Sequence, residues 1–240
     1  MQKNALVTGG NSGIGYATAK LLKAKGYSVF ICGRDQARID KAAQELGVTA
    51  ILADVGNAGD VLRLVNYFSD KPLSALVNNA AVAHFIPLPL ITSADFDQFM
   101  NVNLRAPLEL IKGLLPSLQQ VGGSITNVSS AVVNNGLANA ALYAATKGAL
   151  EAVTKSLAIE LAPVGIRINA VSPGAIDTPI IGKLGFDEPT QAAIKAHMET
   201  TIPLKRFGRP EEVAEVIVAQ LESSYTTGAI WAVDGGVNVT

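Results

Sequence analysis

The chain has 240 residues, of which 49% are hydrophobic and 16% charged, with a formal net charge of −1. A composition this apolar suits a well-buried α/β core and excludes an intrinsically disordered chain. There is no run of basic residues, so nothing points to a nucleic-acid or membrane surface.

The first strand is predicted at 5–8 (ALVT), close enough to Met1 to leave no room for a secretory signal, and a cytoplasmic protein is the expectation. A glycine-rich turn, TGGNSGIG at 8–15, leads into the helical pattern ATAKLLKAK (17–25). The strand SVFIC (28–32) carries the lone Cys32, which has no partner for an intrachain disulfide and reads as a buried thiol. Asp35 reads as the cap of a helix over ARIDKAAQEL (37–46), with Gly47 as its stop. Five more strands are predicted: TAILA (49–53), SALVN (74–78), SITNVS (124–129), IRINAVS (166–172) and AIWAVD (229–234). Several are continuous apolar runs, as parallel strands covered on both faces require.

Strand–helix alternation implies right-handed crossovers. The predicted fold is therefore α/β and doubly wound: a parallel seven-stranded sheet with helices on both faces, a Rossmann fold, in one domain over 1–240. The segment 179–210 breaks the rhythm, being long and carrying several prolines. No apolar stretch approaches the roughly 20 residues that cross a bilayer.

Two groups of residues carry chemistry. In the turn, Gly9, Gly13 and Gly15 let the backbone bend tightly and approach a pyrophosphate, while the following helix offers free N–H groups to the anion. Further on, Tyr143 and Lys147 in YAATK are four residues apart and share a helix face. A fixed ammonium there is expected to favour the ionised phenol, which otherwise titrates near pH ~10. Ser130 lies thirteen positions upstream of Tyr143. Alternation along a strand lets only one of Ser129 and Ser130 face a cleft.

These pieces, together with Asp54-Val55, NNAA at 78–81, Asn103, SPG at 172–174, Thr178 and VDGG at 233–236, run in one order over nearly the whole chain. The sequence thereby resembles the short-chain dehydrogenase/reductase family, in its compact single-domain branch. The resemblance implies hydride transfer between a nicotinamide cofactor and a carbonyl compound or secondary alcohol. It makes Tyr143 the general acid/base, with Ser130 on the substrate oxygen and Lys147 on the phenol and the nicotinamide ribose. Asn103 would hold a water linking Lys147 to solvent. The offset to Tyr143 favours Ser130 over Ser129.

The family pattern assigns the cofactor to Gly9, Asn11, Ser12, Gly13, Ile14, Gly15, Arg34, Asp54, Val55, Asn79, Ala80, Tyr143, Lys147, Pro173, Gly174, Ile176 and Thr178. Asp54 and Val55 match the adenine contact, Asn78 a residue steadying the sheet, and Thr178 a hydroxyl reaching the pyrophosphate or carboxamide. By the same register Gly33 stands at the usual acidic position and Arg34 follows it, which points to NADP(H), with NAD(H) as the alternative. No metal is expected, because no Cys, His or carboxylate cluster has ligand spacing.

By the fold, Val82, Ala83, His84, Leu137, Ile180, Ile181, Leu184 and Phe186 wall the substrate pocket, and 179–210 is its lid. Their apolar character suggests a neutral ketone, aldehyde or secondary alcohol as the small-molecule partner. The apolar helix at 142–161 suggests a homo-oligomer, and the family pattern a homotetramer. The chain also departs from familiar members: NNAA replaces NNAG, and the stretch 220–231 before VDGG looks shortened. An NAD(H)-dependent secondary-alcohol dehydrogenase and a non-catalytic nucleotide-sensing regulator on the same fold are the competing readings.

Overall fold

A computed structural model describes residues 2–178 and 188–239. Seven strands, β1 (Asn4–Thr8), β2 (Ser28–Gly33), β3 (Thr49–Leu52), β4 (Ala75–Asn78), β5 (Ser124–Val128), β6 (Arg167–Pro173) and β7 (Ile230–Val233), form one parallel sheet in the order β3-β2-β1-β4-β5-β6-β7. Each predicted strand is present to within about one residue. The helices are α1 (Gly13–Ala24), α2 (Gln36–Leu46), α3 (Ala58–Tyr67), α4 (Ser93–Met100), α5 (Ala106–Gln119), α6 (Val132–Asn135), α7 (Ala141–Leu161), α8 (Glu188–Thr201) and α9 (Pro210–Glu222).

Each layer follows from its sequence. The central strands β1, β4 and β5 are buried almost throughout, which is why they read as unbroken apolar runs. One core lies on the sheet face that carries α3 and α5, built on Leu6, Phe68, Leu76, Leu114 and Ile125. The other lies under α1, α2 and α9, built on Val7, Leu22, Ile31, Ile39 and Ile217. Asp35 caps α2 by accepting from the Arg38 N–H, and Gly47 ends that helix in the left-handed region at φ 63°. Both match the sequence expectation.

The short 220–231 connection is closed by side chains of neighbouring elements. Arg167 donates to the carbonyls of Gln220 and Leu221 at 3.0 and 2.7 Å. Asn169 holds the Thr226 carbonyl and the Ala229 N–H, and Gln220 donates to Ala170 O. Orphan carbonyls at the end of α9 are thereby satisfied, and β7 pairs normally with β6. Among the described residues, no helix is long and apolar enough to cross a membrane.

The strand order reverses between β1 and β4. In open α/β sheets that reversal opens a crevice at the carboxyl ends of the strands, and the motif residues gather there.

Candidate active site

The glycine turn is fitted to the NNAA segment with little room to spare. Gly9 has φ +64°, and a Cβ on it would stand 2.9 Å from Asn79 Nδ2. A Cβ on Gly15 would collide with the Gly9 carbonyl and lie 2.5 Å from Asn79 Nδ2. Asn79 donates to the carbonyls of Thr8 and Gly9 at 2.9 and 3.2 Å. The Thr8 hydroxyl accepts from the Asn79 and Ala80 N–H groups, both at 3.0 Å. Thr8, at the end of β1 within the TGGNSGIG motif, is a residue the glycine pattern alone does not mark; its place at the strand end is the available signal.

At the N-terminus of α1, Ser12 is exposed, has extended backbone, and its side chain caps nothing. The first turn holds no acidic residue. Its N–H groups are suited to an anion. Asn11 packs its side-chain oxygen against Gly33, where a Cβ would sit 3.1 Å away, and Ile14, second residue of α1, is half-buried. Arg34 is exposed at the end of β2, and its neighbour Asp35 is engaged by Arg38.

The remaining residues that the sequence assigns to a cofactor stand at or just beyond the carboxyl ends of β3 and β6. Asp54 accepts from the Gly56 N–H at 2.8 Å, a tight turn that fixes its carboxylate, and Val55 is buried beside it. Pro173 ends β6, and Gly174 abuts Asp234 of VDGG so closely that a Cβ would lie 2.7 Å from the Asp234 Cα. Ile176 is buried in a bridge with Gly208, and the Thr178 hydroxyl lies 3.4 Å from the Ile176 carbonyl. A cavity of about 510 Å³ adjoins Val55 and Gly56 between α3 and α5; Ser130, Tyr143 and Lys147 do not line it.

Ser130, Tyr143 and Lys147 come together where β5 meets α7. The Ser130 hydroxyl is hydrogen-bonded to the Tyr143 phenol. Lys147 is 2% exposed and donates to the Val128 carbonyl at 2.6 Å, with its ammonium 5.7 Å from the centre of the Tyr143 ring. Ser129 turns the other way, into a buried bond with Glu151 at 2.6 Å.

One expectation is corrected. Lys147 does not lower the Tyr143 phenol here: burial raises it, and the counteracting influence is the Ser130 hydroxyl. Burial also pulls the Lys147 ammonium down to about 8. Spacing on a helix brings charges near each other, but desolvation of both groups outweighs that proximity.

Asn103 sits in a π-helical turn, Asn101–Arg105, and is 1% exposed. Its side chain accepts from the Val82 N–H and donates to the Val82 carbonyl, both at 2.9 Å, and donates to the Thr146 hydroxyl at 3.2 Å. Thr146 in turn donates to the Tyr143 carbonyl. The side chain is thus committed to joining the segment after NNAA to the turn that carries Tyr143. Asn101, the alternative register, accepts from Arg105 on the surface at 2.6 Å. π-turns recur at functional sites, and nothing in the composition of 101–105 signals one.

Beneath the crevice, Asn78 donates to Asn127, and Asn127 to Thr154 of α7, each at 2.9 Å. On the substrate side, Val82, Ala83 and His84 are half-buried and Leu137 is exposed. His84 packs at a tilt against Phe99, ring centres 4.7 Å apart, with its Nε2 3.9 Å from the Asp95 carboxylate. Ile180, Ile181, Leu184 and Phe186 lie outside the described residues. Among the described residues, no group of three or more His, Cys, Asp or Glu side chains could hold a metal ion.

The chain is similar to several known proteins. A family model described as "Enoyl-(Acyl carrier protein) reductase" matches residues 9–238. L-xylulose reductase of Mesocricetus auratus is 38% identical, over 99% of this chain and 97% of that protein. Among solved structures, a 3-ketoacyl-(acyl-carrier-protein) reductase from Brucella melitensis complexed with NADH superposes with TM-score 0.91 at 32% identity, over 99% of this chain and 98% of that one. An actinorhodin polyketide ketoreductase with NADPH superposes equally well, TM-score 0.91, at 27% identity and 100% and 98% coverage.

Proposed function

Because this chain belongs to the short-chain dehydrogenase/reductase family, we propose that it interconverts a small carbonyl compound and its alcohol using NADP(H). The observation that carries the reading is the convergence of half-buried Ser130 and Tyr143 with buried Lys147 at the end of β5.

The cofactor residues fit a dinucleotide. Gly9 and Gly15 leave a cradle that any Cβ would fill, and Ser12 leaves the first turn of α1 open to a pyrophosphate. Arg34 supports a 2′-phosphate, since a planar guanidinium binds phosphate through two N–H groups. Asp54 and Val55 would take the adenine, and Pro173, Gly174, Ile176 and Thr178 the nicotinamide end. When bound, the cofactor supplies hydride to the carbonyl carbon or accepts it from the alcohol.

The chain's own residues handle the oxygen. Negative charge that builds on the substrate oxygen during reduction needs a proton and a hydrogen-bond donor. Burial keeps the Tyr143 phenol protonated, which suits it to give that proton. The Ser130 hydroxyl, already bonded to the phenol, fixes the oxygen beside it. Lys147, anchored by Val128, places a cation beside the phenol and would hold the cofactor ribose. Both side-chain N–H groups of Asn103 are already donated, to Val82 and Thr146, so a water serving Lys147 would donate to an Asn103 oxygen rather than accept from its amide.

Two further assignments complete the proposal. The segment 179–210 acts as the lid. The chain assembles as a homotetramer, supported by Ile159, 80% exposed on the outer face of α7, and by the half-exposed Trp231 on edge strand β7. A concentration-independent monomer by sedimentation would contradict that assembly.

The relatives' names divide between a sugar and acyl-carrier-protein substrates. A panel containing a ketopentose, a 3-ketoacyl thioester, simple ketones and secondary alcohols, followed at the reduced-nicotinamide absorbance band, therefore tests the function. Turnover is expected with NADPH or NADP+ on at least one class. Tyr143→Phe is expected to lose a factor of about 10²–10⁴ in kcat while still binding cofactor. Tight cofactor binding with no turnover across the panel would favour the sensing regulator.

A further inference from the structure

Three successive residues at the end of β5 engage one face of α7. The Val128 carbonyl accepts from Lys147 at 2.6 Å. The Ser129 hydroxyl donates to Glu151 Oε1 at 2.6 Å and lies 3.5 Å from the Lys147 carbonyl. The Ser130 hydroxyl meets the Tyr143 phenol. On the helix these partners recur every four residues, at 143, 147 and 151, so a single stripe of α7 faces the strand end.

Glu151 has no place in the chemistry proposed above, yet the residue is only 8% exposed, and Ser129 is 3% exposed. Burying a carboxylate is costly unless it is hydrogen-bonded. An O–H···O− contact of 2.6 Å is in the short, strong range. Ser129 and Ser130 are adjacent just beyond the end of β5, so whatever fixes the first restricts where the second can point. The bond from Ser129 also reaches the turn of α7 that carries Lys147, which makes it a brace between strand end and helix.

We infer that Glu151 is a positioning residue. Through Ser129 it holds the end of β5 against α7, so that the Ser130 hydroxyl and the Val128 carbonyl keep their places relative to Tyr143 and Lys147. The inference rests on the reading of Ser130, Tyr143 and Lys147 as the reacting set.

The test uses the full-length protein with Ser129→Ala, Glu151→Ala, the double variant and Glu151→Gln. Each Ala variant is expected to lower kcat at saturating substrate by about tenfold or more, because small misplacements of reacting groups are amplified in rate. The limb of the pH profile assigned to Tyr143 should move with it, while cofactor affinity changes little. The double variant should be no worse than the poorer single one, as coupled partners require. Glu151→Gln, which keeps an acceptor oxygen for Ser129, should recover most of the loss. Lower melting temperatures with unchanged kcat and pH profile would overturn the inference, as would strictly additive losses. Ser129→Ala removes a single oxygen and serves if Glu151→Ala does not fold. Tyr143→Phe separates the two levels: if it keeps turnover, the reading of the site fails. If it loses turnover while the Ser129 and Glu151 variants keep it, only the positioning role fails.

Discussion

Lys147 gives its ammonium to the Val128 carbonyl at 2.6 Å, so the strand rather than the phenol holds the cation in place. That anchor is paid for in desolvation, and the consequence is readable as a pH dependence.

Burial brings Lys147 from 10.5 to about 8. Between those values the unfolded chain binds more protons than the native one, so this group makes the native state more stable as pH rises through the window. The destabilisation is complete once pH has fallen below the folded value. Cys32, raised by burial to about 12 from 9.0, works in the opposite sense above pH 9.0, as does the raised Tyr143 phenol above pH 10.0. The Lys147 contribution is therefore read as a difference. In cofactor-free protein, Lys147→Met should gain on wild type most below about pH 8 and lose that advantage towards pH 10, by urea denaturation at each pH. A gap independent of pH would contradict the burial account.

Arg34→Ala should weaken NADP(H) binding by about 10- to 100-fold, the loss of one or two charge-assisted hydrogen bonds. NAD(H) binding should hardly change. Paired fluorescence titrations with the two reduced cofactors give the ratio, and an unaltered preference would return Arg34 to a solvated loop charge.

Gly15→Ala places a methyl against the Gly9 carbonyl and Asn79 Nδ2. Neither neighbour is the free end of a flexible chain, since Asn79 is held by two carbonyls. Overpacking of this kind costs about 1–3 kcal/mol. Cofactor affinity should fall further than melting temperature alone accounts for, because the turn itself must shift. Calorimetry of the free and cofactor-loaded protein separates the two effects.

Asn103→Ala strands the Val82 N–H and carbonyl and the Thr146 hydroxyl in a buried site. Unsatisfied groups of that sort cost about 1–3 kcal/mol each before relaxation. A clear drop in denaturation midpoint is expected, with kcat falling as well because Thr146 ties this bridge to the turn of Tyr143. Asn101→Ala, on the surface, should leave both nearly unchanged.

The sheet was legible because its strands are buried on both faces and therefore carry an uninterrupted apolar signal; α2 was legible because Asp35 and Gly47 mark its ends with side-chain and backbone chemistry of their own. The turn at 101–105 gave no such sign. A π-turn differs from an α-turn by one residue in its hydrogen-bond register, and the composition of NVNLR is compatible with either. Likewise Glu151 looked like one more polar residue on a helix, since its partner Ser129 lies 22 positions away. The direction of the Tyr143 shift was misjudged for a related reason: spacing reports which groups are neighbours, whereas desolvation depends on everything packed around them.

The Thr8 hydroxyl, accepting from two successive amides of the NNAA segment, sets the floor of the crevice within the protein itself. A dinucleotide bound as proposed would meet a finished mould. Its grip at that end reports steric match, with little of the interaction energy diverted into ordering the loop.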